Sequence, residues 1–582
     1  MPFDGFVMSA IKNELNEKII LGKITKIYQP ERHTVILKIR KGSDNFQLLI
    51  SAHPVTGRVH LTSETKDNPL TPPLFCMVLR KHLEGGRIIA IEQKELDRIL
   101  CIFIEGYNEI GQLTTKKLVI EIMGKHSNIV LVDPEDNTIL DGIKRYTHLV
   151  SRHREILPGR EYIAPPDQMK VNCFTINEET FRSTLLSLTL TTKVAKGIVN
   201  SFAGFSPLLA GEIIYRAQLP KNIIIDDLGD YELIRIWQAM NEILLPLKDK
   251  RLQPNAVLDE GKPLDFSFIH LLQFNQNQLI DFSQMGETLD YFYSRQEEGD
   301  LFSARQRELS KIVKGEIERV EKKLALQSEK LRDTEHMEEY RLWGELITAN
   351  MYKLSKGMAD AELDNFYQPE NTVQVTLDPV LSPAENAQYY FKKYNKAKSS
   401  KILIEEQMAK NQDELDYLNS VLTSLEQSSD LKDLTEIRTE LVEASYLKEK
   451  NQAKHKVKVK DTAPQPLTFY SQDGYTILVG KNNKQNDLLT LKMAKKDDLW
   501  LHTKNIPGSH VIIRRQPGKE IPFTTIEEAA QLAAYHSKAR ASSQVPVDYT
   551  LVSQVKKPNG AKPGMVIYFE QKTLYVTPDP IR

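Results

Sequence analysis

Several side chains that can bind nucleic acid lie close together near the C-terminus of this 582-residue chain, in residues 487–513. Trp500 is followed by His502 and Lys504, and a Pro-Gly turn then leads to His510. An aromatic ring can stack on a base, and imidazole and ammonium groups can donate hydrogen bonds to phosphate. The same pattern fits a β-hairpin whose tryptophan lies in the core, and the residues alone favour that simpler interpretation.

A second candidate is the pair Asp97 and Arg98, which lies between two segments that read as strands. Side chains in such a connection are held by rigid flanks and face outward, which suits recognition. The guanidinium of Arg98 can bind a phosphate or a base edge, while Asp97 can accept from an exocyclic amine or orient the arginine. A local ion pair or two ordinary turn residues would explain the same sequence without any ligand.

A third candidate is the polar turn at residues 124–128, which separates two later β-rich segments. Its side chains can donate hydrogen bonds to phosphate oxygens or to ribose 2′-hydroxyl groups. A turn whose polar groups are satisfied internally is an equally good explanation for each residue. The candidates in this turn are Lys125, His126, Ser127 and Asn128.

The elements that would position the second and third candidates follow from hydrophobic periodicity. After Pro72-Pro73, a helical segment is predicted that ends at Gly85-Gly86. Alternating apolar residues predict short strands, which cover residues 19–27, 34–39, 46–50, 87–92, 99–104, 118–122 and 129–132. The chain up to about Pro166 is therefore predicted to be an α+β unit.

Helical patterns dominate the middle of the chain. Two apolar segments flank residues 203–206, an arrangement like a helix-hairpin-helix whose turn could face a phosphate, although many packed helix pairs share this pattern. Beyond residue 286, two stretches with apolar residues at three- and four-residue spacing predict the arms of an antiparallel coiled coil. A small tip is predicted at residues 367–383, and a basic linker at residues 448–460 follows the second arm.

Longer motifs identify a family. Residues 479–513, VGKNNKQNDLLTLKMAKKDDLWLHTKNIPGSHVII, resemble the signature of the NFACT-R RNA-binding domain, and residues 547–576 resemble the C-terminal half of that domain. The segments KELDRIL (94–100) and EIMGKHSNIVLVD (121–133) resemble the NFACT-N domain, once called the fibronectin-binding protein A N-terminal domain. Over nearly its whole length the chain is similar to bacterial RqcH-type proteins of ribosome-associated quality control, relatives of the eukaryotic nuclear export mediator factor.

The resemblance implies a multidomain α+β architecture with four folded parts and a linker. The expected parts are an NFACT-N domain at 1–170, a helical domain with a helix-hairpin-helix at 171–285, a long antiparallel coiled coil with a small tip at 286–447, a basic linker at 448–464 and an α+β NFACT-R domain at 465–582.

The resemblance also implies a function. Such a factor binds stalled large ribosomal subunits that carry peptidyl-tRNA and recruits alanyl-tRNA, so that C-terminal alanine tails are added without mRNA and mark the nascent chain for degradation. The ribosome performs peptidyl transfer, and the factor contributes by positioning substrates. This role also admits a small RNA-binding helper protein as a partner.

Site residues follow from the resemblance and from the chemistry of the side chains together. The family places tRNA recognition at the Asp-Arg pair, here Asp97 and Arg98, and we extend the predicted tRNA contacts to residues 125–128. Contacts with RNA or the ribosome are predicted for a C-terminal set, which consists of Trp500, His502, Lys504, Ser509, His510, Lys556 and Lys557.

Composition limits other interpretations. Lys and Arg number 77 against 78 Asp and Glu, so the charge of the whole chain gives no sign of a nucleic-acid partner, whereas residues 465–582 contain 16 basic and 10 acidic residues. The three cysteines form no CxxC pair, and the sequence contains no P-loop, zinc signature or nucleophile triad. We therefore expect no catalytic residue, cofactor or metal.

Two alternatives come from other classes of protein. The older family name suggests an adhesin that binds fibronectin and has a cell-surface pool, but the sequence shows no signal peptide and no apolar run of ~20 residues, which favours a cytoplasmic protein without a membrane partner. NFACT-N is related in fold to formamidopyrimidine-DNA glycosylases, which suggests lyase chemistry at Pro2. Phe3 stands where those enzymes carry a glutamate, which disfavours this chemistry.

Overall fold

The computed structural model describes residues 3–108, 110–148, 153–368, 371–448 and 465–580. Pro2 and all of the predicted basic linker after Lys448 lie outside these residues. The chain divides into two compact units, residues 1–299 and 300–582. None of the helices in the described ranges is long and apolar enough to cross a membrane.

The first unit is built on a nine-stranded sheet. Its strands are β1 (Lys23–Glu31), β2 (Thr34–Lys41), β3 (Asp44–Ser51), β4 (Arg58–Leu61), β5 (Arg87–Gln93), β6 (Ile99–Tyr107), β7 (Leu113–Glu121), β8 (Asn128–Asp133) and β9 (Thr138–Gly142). They follow the order β4-β3-β2-β1-β5-β6-β7-β8-β9, and every neighbouring pair is antiparallel. Val35, Leu37 and Ile39 are buried on one face, as their alternation predicts.

Two helices accompany this sheet, α1 (Gly5–Ile19) and α2 (Leu74–Leu83). The predicted helix at residues 74–86 is confirmed, and Gly85 follows it with φ +87°. Helix α1 was not expected, and the strand predicted from Ile19 begins at Lys23 instead. Apolar residues occupy almost every position in the first turns of α1, because the helix is buried on several sides and therefore lacks a one-sided apolar stripe.

A helical layer shares the core of this sheet. It contains α3 (Glu178–Leu186), α4 (Val194–Ser201), α5 (Pro207–Arg216) and α6 (Asp230–Asp249). The predicted turn at residues 203–206 joins α4 to α5. A small antiparallel sheet of order β11-β10-β12 follows, formed by β10 (Asn255–Asp259), β11 (Lys262–Ser267) and β12 (Leu279–Asp281).

Two long helices organise the start of the second unit. Helix α7 (Met285–Arg332, 48 residues) begins in the first unit. The tip follows and contains α8 (Met337–Ala349), β13 (Asp360–Asp364) and β14 (Thr372–Thr376). After the tip come α9 (Pro383–Gln427, 45 residues) and α10 (Leu431–Glu443). Gln306 Nε2 donates to the carbonyl of Leu425 at 2.7 Å, and Asn411 Nδ2 donates to Gln327 Oε1 at 2.8 Å. Residue numbers thus rise along α7 as they fall along α9, so these arms are antiparallel. The tip has its own hydrophobic core and is larger than predicted.

The C-terminal sheet has six strands in the order β15-β16-β18-β17-β19-β22. The elements of this region are β15 (Leu467–Tyr470), β16 (Thr476–Val479), α11 (Asn483–Leu488), β17 (Leu499–Thr503), β18 (Val511–Ile513), α12 (Phe523–Tyr535), β19 (Val545–Leu551), β20 (Val555–Lys556), β21 (Ile567–Tyr568) and β22 (Lys572–Val576). Helix α12 covers one face of the sheet, and Trp500 packs with Leu489 and Ile512 on the other. The predicted multidomain α+β class is confirmed.

Candidate functional site

A cavity of about 260 Å³ in the first unit is lined by the start of α1, the β5–β6 connection and the α4–α5 turn. Asp97 and Arg98 lie in its wall together with Lys170. The predicted position of the pair in a connection between strands is confirmed. The side chains do not face outward into solvent as expected, because each is half-buried. The structure thereby brings the predicted Asp-Arg pair and the helix-hairpin-helix turn to one place.

Close backbone packing fixes the shape of this cavity. Gly5 N donates to the carbonyl of Gly204 at 3.2 Å. A Cβ atom on Gly5 would lie only 2.0 Å from the carbonyl oxygen of Leu96 and 2.7 Å from Gly204 Cα, so glycine is required at position 5. Gly204 also has φ +88°, which a side chain would make costly. Three chain segments therefore meet without side chains between them.

A buried carboxylate connects the two helix starts at the cavity. Asp4 caps α1 by accepting the N–H groups of Phe6 and Val7 at 3.1 and 2.9 Å, and its side chain also hydrogen-bonds to Ser206. Ser206 in turn caps α5 by accepting the N–H of Leu209. Burial raises the pKa of Asp4 to about 6, against the opposing effect of these hydrogen bonds.

Charges of both signs converge on Arg98. Burial lowers the pKa of its guanidinium, whereas the nearby carboxylates of Asp4 and Asp97 raise it. Burial raises the pKa of Asp97, and Asp167 acts in the same direction. Lys170 has a pKa lowered by burial and by the charge of Arg98. The cavity wall therefore offers two cationic donors for phosphate, Arg98 and Lys170, beside several carboxylates, at the end where β5 connects to β6.

The polar turn at residues 124–128 joins β7 to β8 at the same end of these strands as the β5–β6 connection. The N–H of Ile122 donates to the carbonyl of Arg98 at 2.9 Å, next to the paired residues Ile99 and Glu121. Lys125 and His126 are exposed in a short 3-10 turn, so both remain available for a ligand.

Ser127 and Asn128 were also predicted to contact tRNA, but both are fully buried. Ser127 Oγ accepts the N–H of Met123 at 2.9 Å. The amide of Asn128 donates to the carbonyl of Lys144 at 2.9 Å and accepts the N–H of Lys144 at 3.0 Å. These two side chains stabilise the turn, and their prediction as tRNA contacts is corrected to a structural role.

Three residues of the C-terminal set are also buried. Trp500 has no exposed surface and packs against Tyr568, with 4.8 Å between the ring centroids. His510 is 1% exposed and shares a 2.7 Å hydrogen bond with the Thr490 hydroxyl. Ser509 is buried as well. Trp500 is therefore a core residue, as the simpler interpretation of the hairpin predicted. The prediction that Trp500, Ser509 and His510 contact RNA directly is corrected, because all three side chains are buried.

The remaining C-terminal residues lie nearer the surface. His502 is half-buried, and burial lowers its pKa to about 4, so it is neutral near pH 7 and cannot attract phosphate by charge. Lys504 and Lys556 are exposed, while Lys557 forms an ion pair with Asp487. The two exposed lysines are the strongest remaining candidates in this region.

The sequence analysis did not predict the role of residues 481–486, KNNKQN, in the C-terminal signature. Asn483 Nδ2 donates to Glu440 Oε1 at 3.0 Å and to Ser420 Oγ at 2.9 Å, which joins α11 to α10 and to the C-terminal part of α9. Asn482 and Gln485 both donate to Glu436, at 2.7 and 2.9 Å. A run of amides in a family motif could have suggested such a network, but its partners lie more than 40 residues away in sequence.

Comparison with known proteins covers nearly the whole chain. Residues 4–460 match the family described as NFACT N-terminal and middle domains, and residues 465–568 match the NFACT protein RNA binding domain. A Bacillus subtilis protein named Rqc2 homolog RqcH is 43% identical over 581 residues, which cover 100% of this chain and 98% of that protein. The protein of the same name from Streptococcus suis is 38% identical, covering 99% and 98%.

A solved structure is also similar to part of the chain. The crystal structure of the fibrinogen binding protein from Staphylococcus aureus is 33% identical, covers 50% of this chain and 99% of that chain, and has a TM-score of 0.44.

Proposed function

We propose a function from one established premise: this chain belongs to the NFACT family. Its full-length relatives carry the name Rqc2 homolog RqcH, and more distant ones are named as subunits of a ribosome quality control complex. We infer that this protein is a ribosome-associated quality control factor that acts on stalled large ribosomal subunits in the cytoplasm.

The proposed activity is recruitment of tRNA. The protein binds a large subunit that still carries peptidyl-tRNA with an incomplete chain, and it delivers alanyl-tRNA so that the ribosome extends the chain with C-terminal alanine residues. These tails mark the nascent chain for degradation. The protein itself forms no covalent bond in this scheme, because its binding energy is used to hold the substrates in position.

One observation carries the proposal: Asp97 and Arg98 lie side by side in the wall of a cavity onto which the N-termini of α1 and α5 open. Helix N-termini carry partial positive charge and favour anions, although the carboxylate of Asp4 already occupies this position at α1. With Arg98 and Lys170 as cationic donors, the cavity suits a phosphate of RNA, and Asp97 adds an acceptor that a base amine or a ribose hydroxyl can use. We assign tRNA recognition to this cavity, with Lys125 and His126 as further contacts.

The long helices support a role on a large partner. Helices of 48 and 45 residues extend about 70 Å each at 1.5 Å per residue, which is enough to reach between separate features of a ribosomal subunit. We assign contacts with ribosomal RNA to the C-terminal region, where Lys504 and Lys556 are exposed.

Purification of the tagged full-length protein tests the proposal. Cells in which ribosomes have been stalled should yield the protein in the large-subunit fractions of a sucrose gradient, and sequencing of the bound RNA should show large-subunit rRNA with enriched tRNA. Unstalled cells are the control and should yield less bound protein. A protein that stays at the top of the gradient after stalling, or that is found only on the surface of intact cells, would overturn the proposal.

A further inference from the structure

Five basic side chains, which we call the basic strip, lie on connections of the nine-stranded sheet that hydrogen bonds and close packing bring together. Arg32, His53 and Lys125 are exposed, and His33 and Lys144 are half-buried. The strip draws on the β1–β2 turn, the β3–β4 connection, the β7–β8 turn and the segment after β9. Only Lys125 was recognised in the sequence as a candidate, because the others are far apart along the chain.

Hydrogen bonds hold three of these connections together. Ala52 N donates to the carbonyl of His33 at 2.8 Å, and Lys144 Nζ donates to the carbonyl of Ala52 at 2.7 Å. His53 Nδ1 accepts the N–H of Thr56 at 3.2 Å, which orients the imidazole ring. The connections that carry the strip are therefore held against one another, and the side chains of Lys144 and His53 are held by their own hydrogen bonds.

The strip continues to the cavity that contains Arg98. The amide of Asn128 bonds to the backbone of Lys144, which anchors the turn that carries Lys125. A Cβ atom placed on Gly57 would lie 3.4 Å from Ser127 Oγ, so the β3–β4 connection touches the same turn. That turn begins beside Ile122, whose N–H bonds to the carbonyl of Arg98. An unbroken series of contacts thus links the strip to the candidate tRNA site.

The charges on the strip are not balanced by acids. Burial lowers the pKa of His33, and the charges of Lys144, Arg32 and His53 lower it further; burial and Arg32 lower the pKa of Lys144. Glu31, the acid adjacent to Arg32 in sequence, forms its ion pair with Lys66 at 2.8 Å instead. Within the ranges that the structure describes, no carboxylate forms an ion pair with a member of the strip. Like charges held together in this way favour an anionic partner.

We propose that the basic strip binds the phosphate backbone of RNA and extends the contact that begins at the Asp97–Arg98 cavity. The inference rests on the proposed function for its assignment of RNA as the ligand. Three cations, Arg32, Lys125 and Lys144, lie on three separate connections, and such a set fits successive phosphates of one polyanion better than a single small anion. The imidazoles of His33 and His53 lie among them as hydrogen-bonding groups. The phosphates can belong to the recruited tRNA or to ribosomal RNA, and the two sources can be separated.

The test uses the full-length variant Arg32→Gln, in which the change falls on an exposed side chain outside the candidate tRNA site. Binding to purified tRNA is measured at several salt concentrations, together with binding to isolated large subunits. Loss of one phosphate contact should lower the slope of log affinity against log salt by about 0.7–0.9 and weaken binding several-fold at physiological salt. Lys26→Gln, an exposed lysine in the middle of β1, is the matched control and should leave the slope unchanged.

The outcomes separate the two possible sources and the two proposals. A reduced slope for tRNA assigns the strip to tRNA, and a reduced slope for subunits alone assigns it to ribosomal RNA. If Arg32→Gln matches the Lys26→Gln control with both ligands, the strip proposal is overturned. Arg98→Ala is measured alongside: if Arg98→Ala weakens tRNA binding and the strip variant does not, the proposed function stands and only the strip fails. If Arg98→Ala has no effect, it is the proposed tRNA site that fails.

Discussion

The indole ring of Trp500 and the imidazole ring of His502 are stacked, with 5.8 Å between their centroids and 18° between their planes. Both side chains therefore point from β17 to the same face of the C-terminal sheet, where His510 and Tyr568 complete an aromatic cluster. Because Trp500 is fully buried within this cluster, its ring is unavailable for stacking on a base.

Trp500 is predicted to be needed for folding and not for RNA recognition. Trp500→Ala should remove about 3–5 kcal/mol of stability, as expected when a large buried side chain is deleted. Trp500→Phe keeps most of the apolar volume, and it should fold and bind isolated large subunits with near wild-type affinity. Thermal melting and a subunit-binding titration check both variants. If the Trp500→Phe variant folds but no longer binds subunits, the result would support base stacking by Trp500 and contradict this prediction.

Stability of the C-terminal region is predicted to fall in mild acid. Burial lowers the pKa of His502 to about 4 and the pKa of His510 well below its ordinary value. Unfolded histidines titrate near 6.5, so the unfolded state binds more protons between pH 6.5 and 4. The stability that comes from burying neutral imidazoles is complete above pH 6.5 and is lost as the pH falls through this range.

Urea midpoints measured from pH 7.5 to 4.5 check this dependence. His502→Gln should make the loss on acidification smaller, because one of the buried imidazoles has been removed. His336→Gln, at an exposed histidine in the tip, is the control and should leave the dependence as in the wild type. An equal pH dependence in all three proteins would contradict the assignment to buried imidazoles.

The turn at residues 124–128 is predicted to divide into structural and ligand-binding halves. Asn128→Ala removes three hydrogen bonds from a buried amide and should cost about 1–3 kcal/mol of stability. Lys125→Ala alters an exposed side chain and should change stability by no more than about 0.5 kcal/mol while weakening tRNA binding. Chemical unfolding and a tRNA titration of each variant separate the two effects. If Lys125→Ala destabilised the protein as much as Asn128→Ala, the division would be wrong.

Periodicity and turn residues were sufficient to predict much of the fold. Alternation predicted most of the first sheet, and the spacing of apolar residues predicted the antiparallel long helices. Helix α1 escaped detection because it is apolar on several sides. The domain limits at residues 170, 285, 447 and 464 remain predictions.

The site was harder to predict because burial depends on contacts between distant residues. Asp97 and Arg98 were placed in the right connection, yet their partners Asp4 and Lys170 come from other elements. Lys125 and Asn128 are three residues apart, but one faces solvent and the other bonds to Lys144. The polarity of a residue does not show whether its side chain stabilises a turn or is available to bind a ligand.

The pair Asp97 and Arg98 is predicted to act as one unit in tRNA recognition. Arg98→Ala removes a charge-assisted contact of about 1.5–3 kcal/mol, which corresponds to a roughly 10- to 150-fold loss of tRNA affinity. Asp97→Ala should behave similarly, and the double variant should cost less than the sum of the single variants. Binding to large subunits through the C-terminal region should persist in all three, which serves as the control for folding.

The most direct measurement is a titration of alanyl-tRNA with the wild-type protein and with Arg98→Ala under the same salt conditions. The proposed function predicts that Arg98→Ala binds alanyl-tRNA at least about tenfold more weakly than the wild type, while both proteins bind large subunits equally well. Equal affinity of the two proteins for alanyl-tRNA would contradict the assignment and leave Asp97 and Arg98 as residues that only shape the β5–β6 connection.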